Sequence, residues 1–254
     1  MMIDFPIFRT MQPSNIFLKV HISSLGRISP ELSGLMEQYG LEDVLINKHL
    51  TNRQHHYSLA AMLMAAKAPE EWLIACWKDA LMDDCPVEEL MEVCLQLTAY
   101  IGFPTSGKGL ELLKKTWNEM PTGAEWPIKP WCTVADRYQQ GEAQLEWLEP
   151  GRTGKLMNDY GSFAPDYVRA TLEMAYGDLY SRTVLDKPTQ QAIRVAALST
   201  LGYAAVPLTF HMKAGIKVGL SIAAQAEIIL QLTAITGFPA AMNAMNQLKA
   251  LIEE

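Results

Sequence analysis

Along the second half of the chain, apolar residues recur at spacings of three and four. In "APDYVRATLEMAYGDLY", Val168, Leu172, Ala175, Tyr176 and Leu179 fall on one helical face behind Pro165, which suits a first turn, so the stretch is predicted to be an amphipathic helix. A break at "SRTVLDK" precedes four more segments: Pro188 with "TQQAIRVAALSTLGY", Pro207 with "LTFHMKAGIKVG", "LSIAAQAEIILQLTAITG", and Pro239 with "AAMNAMNQLKALIEE". Proline opens three of these segments and glycine closes several, the asymmetry expected of helices. β-Branched residues are scattered and no Asn-Gly hairpin signal occurs, so the expected class is all-α.

The pattern repeats. "EVCLQLTAYIGFP" (92–104) and "EIILQLTAITGFP" (227–239) share Glu, Leu-Gln-Leu-Thr-Ala and Gly-Phe-Pro at an offset of 135. At that same offset Pro30 pairs with Pro165, Asp43 with Asp178, Leu50 with Leu185, Ala61 with Ala196 and Lys78 with Lys213. The chain therefore reads as an N-terminal extension (1–28), a first helical unit (29–116), a linker rich in proline, glycine and tryptophan (117–163), and a second unit (164–254). Within the linker, 134–148 is a candidate helix that packs on a neighbouring unit.

Composition narrows the partners. With 254 residues, 49% of them hydrophobic, the chain has ample material for a buried core. Its 21 basic and 28 acidic residues leave a formal charge of −7, and no Lys/Arg stripe suits a phosphate backbone, so nucleic acid is not expected as a partner. The N-terminus carries Asp4 and Pro6 and no apolar run followed by a small-residue cleavage site. The most apolar segment, "LSIAAQAEIILQLTAITGF", is interrupted by Gln225, Glu227 and Gln231, so a buried helix is expected there and not a membrane span. A cytoplasmic protein follows as the expectation. Cys76, Cys85, Cys94 and Cys132 form no CxxC pair; free, buried thiols are the expectation, with no metal site and no cofactor. His55 and His56 are adjacent, so on a helix their rings diverge by about 100° and do not readily chelate one metal ion.

The duplicated frame exposes where the copies differ. His211 stands opposite Cys76, Arg182 opposite Asn47, and Gln190-Gln191 opposite His55-His56. His211 is a candidate acid or base, because an imidazole titrates near neutral pH; a packed histidine is the plain alternative. Arg182 has the forked donors that hold a carboxylate, or it forms a surface ion pair with Asp178 or Asp186. Glu92 and Glu227, present in both copies, read as structural hydrogen-bonding groups between helices.

"YGDLYSRTVLDKPTQQAIRVAALSTLGY", "LTFHMKAGIKVGL" and "EIILQLTAITGFPAAMNAMNQLKAL" together resemble the carboxymuconolactone decarboxylase family of the alkylhydroperoxidase-like superfamily. The first unit is similar chiefly over 86–115. The resemblance implies two tandem all-helical units that build oligomers, commonly six units in a ring, so a trimer of two-unit chains is expected. It also implies loss of carbon dioxide from a carboxylated lactone, with His211 as proton donor and Arg182 as orienting group; Tyr180, Gln191 and Tyr203 are candidate substrate contacts. The redox branch places a CxxC just before the histidine, where this chain has Ala204 and Pro207, with Pro69 and Trp72 as the first unit's equivalents. Decarboxylase members carry acidic and further basic side chains in the segment where this chain has "KPTQQ". Two other readings stay open: a thiol-dependent, redox-responsive protein using Cys76, and a non-catalytic binding protein with an apolar pocket.

Overall fold

The computed structural model describes residues 15–121, 124–130 and 134–253; Cys132 and the first 14 residues of the N-terminal extension lie outside them. The described residues form helices and no strand. They run α1 (Ile16–Leu25), α2 (Pro30–Leu35) passing into a π-helical segment π1 (Met36–Val44), α3 (Asn52–Ala65), α4 (Glu70–Met82) and α5 (Val87–Glu119). Then follow α6 (Arg137–Leu148), α7 (Arg152–Tyr160), α8 (Pro165–Ala170) passing into π2 (Thr171–Tyr180), α9 (Lys187–Leu201), α10 (Ala205–Val218), α11 (Ile222–Ile235) and α12 (Phe238–Glu253).

Local chemistry sets these boundaries. Thr51 and Gln54 close a reciprocal capping box on α3, the Asp186 side chain accepts from the Thr189 amide at the start of α9, and Ser221 accepts from Ala224 on α11. Gly102 breaks α5 with φ +78°, and Gly237 separates α11 from α12 with φ +83°. Both lie in the left-handed region that glycine enters without a Cβ penalty, so the shared Gly-Phe-Pro marks the same corner in each half.

One core spans both halves. α3 packs along α9 through small and aliphatic side chains, with Ala60, Ala61, Ala192 and Ala196 fully buried. At this contact Gln54 Nε2 donates to Thr189 Oγ1 over 3.4 Å, and these two residues are 135 positions apart. Corresponding residues meet in this way near the axis of a self-complementary pairing. The glutamates cross reciprocally: Glu92 of α5 reaches Arg182 after π2, while Glu227 of α11 accepts from the backbone amides of Lys48 and His49 after π1. Both behave as the structural hydrogen-bonding groups that the repeat suggested.

Among the described residues, the stretch after α5 holds the helices α6 and α7. Its predicted helix is α6, and it docks on π2. Gly141 and Gly177 let the two backbones approach so closely that a Cβ on Gly141 would collide with the Leu172 carbonyl, and one on Gly177 with the Arg137 carbonyl. Arg137 pairs with Asp178 across the same crossing. Leu145 and Leu148 join Val168, Leu172, Tyr180, Phe210 and Ala214 in a second buried cluster, so this stretch is part of the packing around the second unit.

Gly141→Ala is therefore expected to destabilise the fold by about 3 kcal/mol, because the contact is with backbone and cannot be relieved by rotating a side chain. Urea denaturation of the variant beside the parent measures it.

Candidate functional site

α9 and α10 form one wall of a buried polar cluster and α5 the other. His211, on α10 and only 4% exposed, has Nδ1 2.9 Å from Gln191 Oε1 and Nε2 3.0 Å from the Tyr100 hydroxyl. A glutamine oxygen can only accept, so Nδ1 carries the proton and Nε2 accepts from Tyr100. Burial, then the positive charges of Arg194 and Arg152, hold the imidazole well below its ordinary pKa. The resting histidine is neutral: a ready proton acceptor that must first take up a proton in order to donate one.

Arg194 is the central group. Its side chain is 1% exposed; NH2 donates to Gln96 Oε1, NH1 donates to Gln190 Oε1, and Nε has no partner. No carboxylate pairs with it among the described residues. The guanidinium lies 4.9 Å from the centre of the Tyr180 ring and 6.0 Å from that of Tyr100. Two further buried groups nearby, the Tyr180 hydroxyl and Gln191 Nε2, make no close hydrogen bond, and the amide bears on the phenol only from longer range, lowering its pKa. Burial raises the pKa of both Tyr100 and Tyr180, so both phenols stay protonated, although Arg194 opposes the rise in each. Lys187, at the first turn of α9, donates to the Tyr180 carbonyl and lies 3.9 Å from that ring's centre. Burial and then Arg194 bring its pKa down to about 8. The result is a set of donors walled by aromatic rings, with more positive charge than local carboxylates neutralise.

The candidates fall differently from expectation. Tyr180, Gln191 and His211 belong to the cluster. Arg182 does so only at its edge: its Nε donates to both oxygens of Glu92, at 2.8 and 2.9 Å, and Glu92 in turn accepts from Gln96. Neither aspartate suggested as its partner is free for the role, since Asp178 binds Arg137 and Asp186 caps α9. Tyr203 stands apart, 82% exposed in the turn after α9. Ala204 lines a surface cleft of about 300 Å³ with Leu198, Ser199 and Asn243, a cleft that does not include His211. Cys76 is fully buried and burial raises its thiol pKa well above the ordinary value, the opposite of what a reactive thiolate needs. His55 and His56 face different partners, Gln231 and Asp83.

No motif in the sequence singles out Arg194 or Tyr100. The comparison that flagged His211 against Cys76 also sets Arg194 against Leu59 and Tyr100 against Ile235, a cation and a phenol facing aliphatic residues.

Residues 165–250 match the model of the Carboxymuconolactone decarboxylase family. That stretch of the chain is similar to the family. A similar protein is the 4-carboxymuconolactone decarboxylase of Acinetobacter baylyi, 26% identical over 119 residues, which make up 46% of this chain and 88% of that protein. Within the matched residues lie His211, Gln191, Arg194 and Tyr180. Tyr100, Gln96 and Glu92 come from α5, outside the matched residues. No helix among the described residues is long and apolar enough to cross a membrane.

Three buried histidines make the fold sensitive to acid. His55 is pushed down to about 3 by burial and by His56, while burial lowers His56 and His211 as well. Below their unfolded pKa of about 6.5 the unfolded chain binds more protons than the folded one, so stability is full above that pH and declines as the pH falls from there toward 3. Denaturation midpoints measured from neutral to acid pH should fall accordingly, and His55→Gln, the residue at the matching position of the second unit, should flatten the decline.

Proposed function

We propose that the chain is a cofactor-independent lyase or isomerase of the carboxymuconolactone decarboxylase type, acting on a small carboxylated or lactone-like molecule with His211 as its acid-base group. The observation that carries this reading is the buried guanidinium of Arg194. A charge taken out of water is costly unless an opposite charge meets it, and here the waiting donors are Arg194 Nε, the Tyr180 hydroxyl and Gln191 Nε2. An anionic ligand supplies what the protein lacks.

For a decarboxylation, the carbon–carboxylate bond breaks, carbon dioxide leaves, its electron pair moves into the conjugated carbonyl, and a proton is added at carbon. A cation gripping the departing carboxylate would stabilise the starting state against its loss. Arg194 with Tyr180 therefore suits the oxygen that becomes the enolate, or a second carboxylate that stays on the molecule. An anion there also offsets one of the charges that keep His211 neutral, so ligand binding itself raises the histidine's proton affinity. In this reading Arg182 positions Glu92 and, through Gln96, Arg194. Exposed Val206, Phe238 and Met242 support assembly into a homo-oligomer, with a trimer the expected form, which native mass spectrometry tests.

A second reading has its own observation. The neighbour of His211 Nδ1 is the neutral amide of Gln191, which orients the ring without stabilising an imidazolium as a carboxylate would, and this favours a protein that binds such molecules without transforming them. The thiol-dependent reading has no comparable support, since Cys76 is buried in its protonated form.

Lactones, enones and aromatic acids incubated with the protein, with products followed by mass spectrometry, separate the readings. Turnover is expected with a carboxylated lactone or enone, reduced at least about 100-fold in His211→Ala; binding with no product supports the second reading, and undiminished turnover in His211→Ala sinks the first. Arg194→Met should abolish binding of the acids while leaving stability within about 1 kcal/mol of the parent, because it also removes an unpaired buried charge. A large loss of stability with binding intact would make Arg194 a structural group.

A further inference from the structure

His211 is carried by the second unit, yet one side of its ring is satisfied by the first. Tyr100 OH lies 3.0 Å from Nε2 and the two rings meet edge to face at 5.4 Å between centroids. On the other side Gln191 Oε1, an acceptor, takes the Nδ1 proton. Arg194, which can only donate, bears on the same phenol and leaves the phenol's own proton for the histidine. The charged and titratable groups around the ring are thus Tyr100 on α5, Arg194 on α9 and Arg152 on α7, which lies 5.2 Å from the centre of the Phe210 ring beside His211.

The twin location has lost every one of these groups. At the offset of 135, Tyr100 becomes Ile235, His211 becomes Cys76, Arg194 becomes Leu59 and Tyr180 becomes Leu45. What remains there is a contact between Gln231 Nε2 and His55 Nδ1, 3.1 Å apart, in a setting that pushes His55 down to about 3. Leu45, Leu59 and Cys76 are buried in the common core. That location is filled as packing.

Resting on the reading of His211 as the acid-base group, we propose that Tyr100 is its positioning residue. The phenol donates to Nε2, fixes the imidazole as the Nδ1-protonated tautomer, and so makes the first unit complete the second unit's site, while the twin location serves as core. The lone pair that does proton chemistry is then the one Tyr100 guards. A ligand reaches it by displacing the phenol's hydrogen bond or by receiving its proton through the phenol.

Long-range proton–nitrogen NMR of the full chain with ¹⁵N-labelled histidine tests this without needing turnover, so failure to find a substrate leaves the test intact. His211→Ala assigns the resonances. The parent should show His211 protonated at Nδ1, and Tyr100→Phe should shift it toward a mixture of tautomers. Tyr39→Phe removes another phenol bonded across the halves, 2.8 Å from Thr233 Oγ1, and should leave His211 unchanged. Replacing all tyrosines with 3-fluorotyrosine keeps the ring and strengthens the donor, so it should move the His211 Nε2 resonance even if Tyr100→Phe folds poorly. Once a turned-over substrate is in hand, Tyr100→Phe should lower kcat on the order of tenfold or more with KM little changed. A parent His211 protonated at Nε2, a Tyr100→Phe spectrum identical to the parent's, or an equal change in Tyr39→Phe would overturn the proposal.

Discussion

The guanidinium of Arg194, sealed among α5, α9 and π2 without a carboxylate beside it, is the constraint around which the rest of the molecule is arranged. A lone charge in that position is several kcal/mol unfavourable, and the protein holds it with two glutamine oxygens and two aromatic faces. Such a site persists only if the surrounding core is stable enough to impose it. The contact of α9, which carries Arg194, with α3, built from fully buried alanines and aliphatic residues, supplies that rigidity. Lys187, kept half-buried on the same side, adds to the local excess of positive charge.

Much of the architecture was readable from periodicity. The apolar spacings, the prolines at helix starts and the doubled Gly-Phe-Pro locate α9 to α12 closely, because each signal acts within a few residues of the boundary it marks. The π-helical geometry of π1 and π2 has no such local signature. The helix α6 was legible but its docking was not: its apolar residues are few, and its packing depends on Gly141 and Gly177, which lie 36 positions apart and whose role is to be absent as side chains. Nothing in the linear pattern says that two glycines face each other.

The site was legible in halves. His211 and Gln191 stand out within the matched segments, and Arg182 carries the forked donors that carboxylate binding calls for. Its partner Glu92 is 90 residues away, however, and once the two meet, the arginine's first commitment is internal. Arg194 hides inside "AIRVAALS", where a charged residue within an apolar stripe reads as a helix position with a solvated end. Only the arrival of α5 from the other unit closes it in and brings Tyr100 to His211.

The crossing of Glu92 and Glu227 braces two matching stretches of one chain against each other. Two identical chains paired about an axis must carry the same residue on both sides of it, so any substitution that improves one site is imposed on the other, along with its cost. Within a single polypeptide no such obligation holds: a phenol can face a histidine while the residues at the matching positions are an isoleucine and a buried cysteine. Covalent linkage here is a licence for asymmetry, and it lets one half of the molecule be tuned for chemistry while its counterpart is tuned for cohesion.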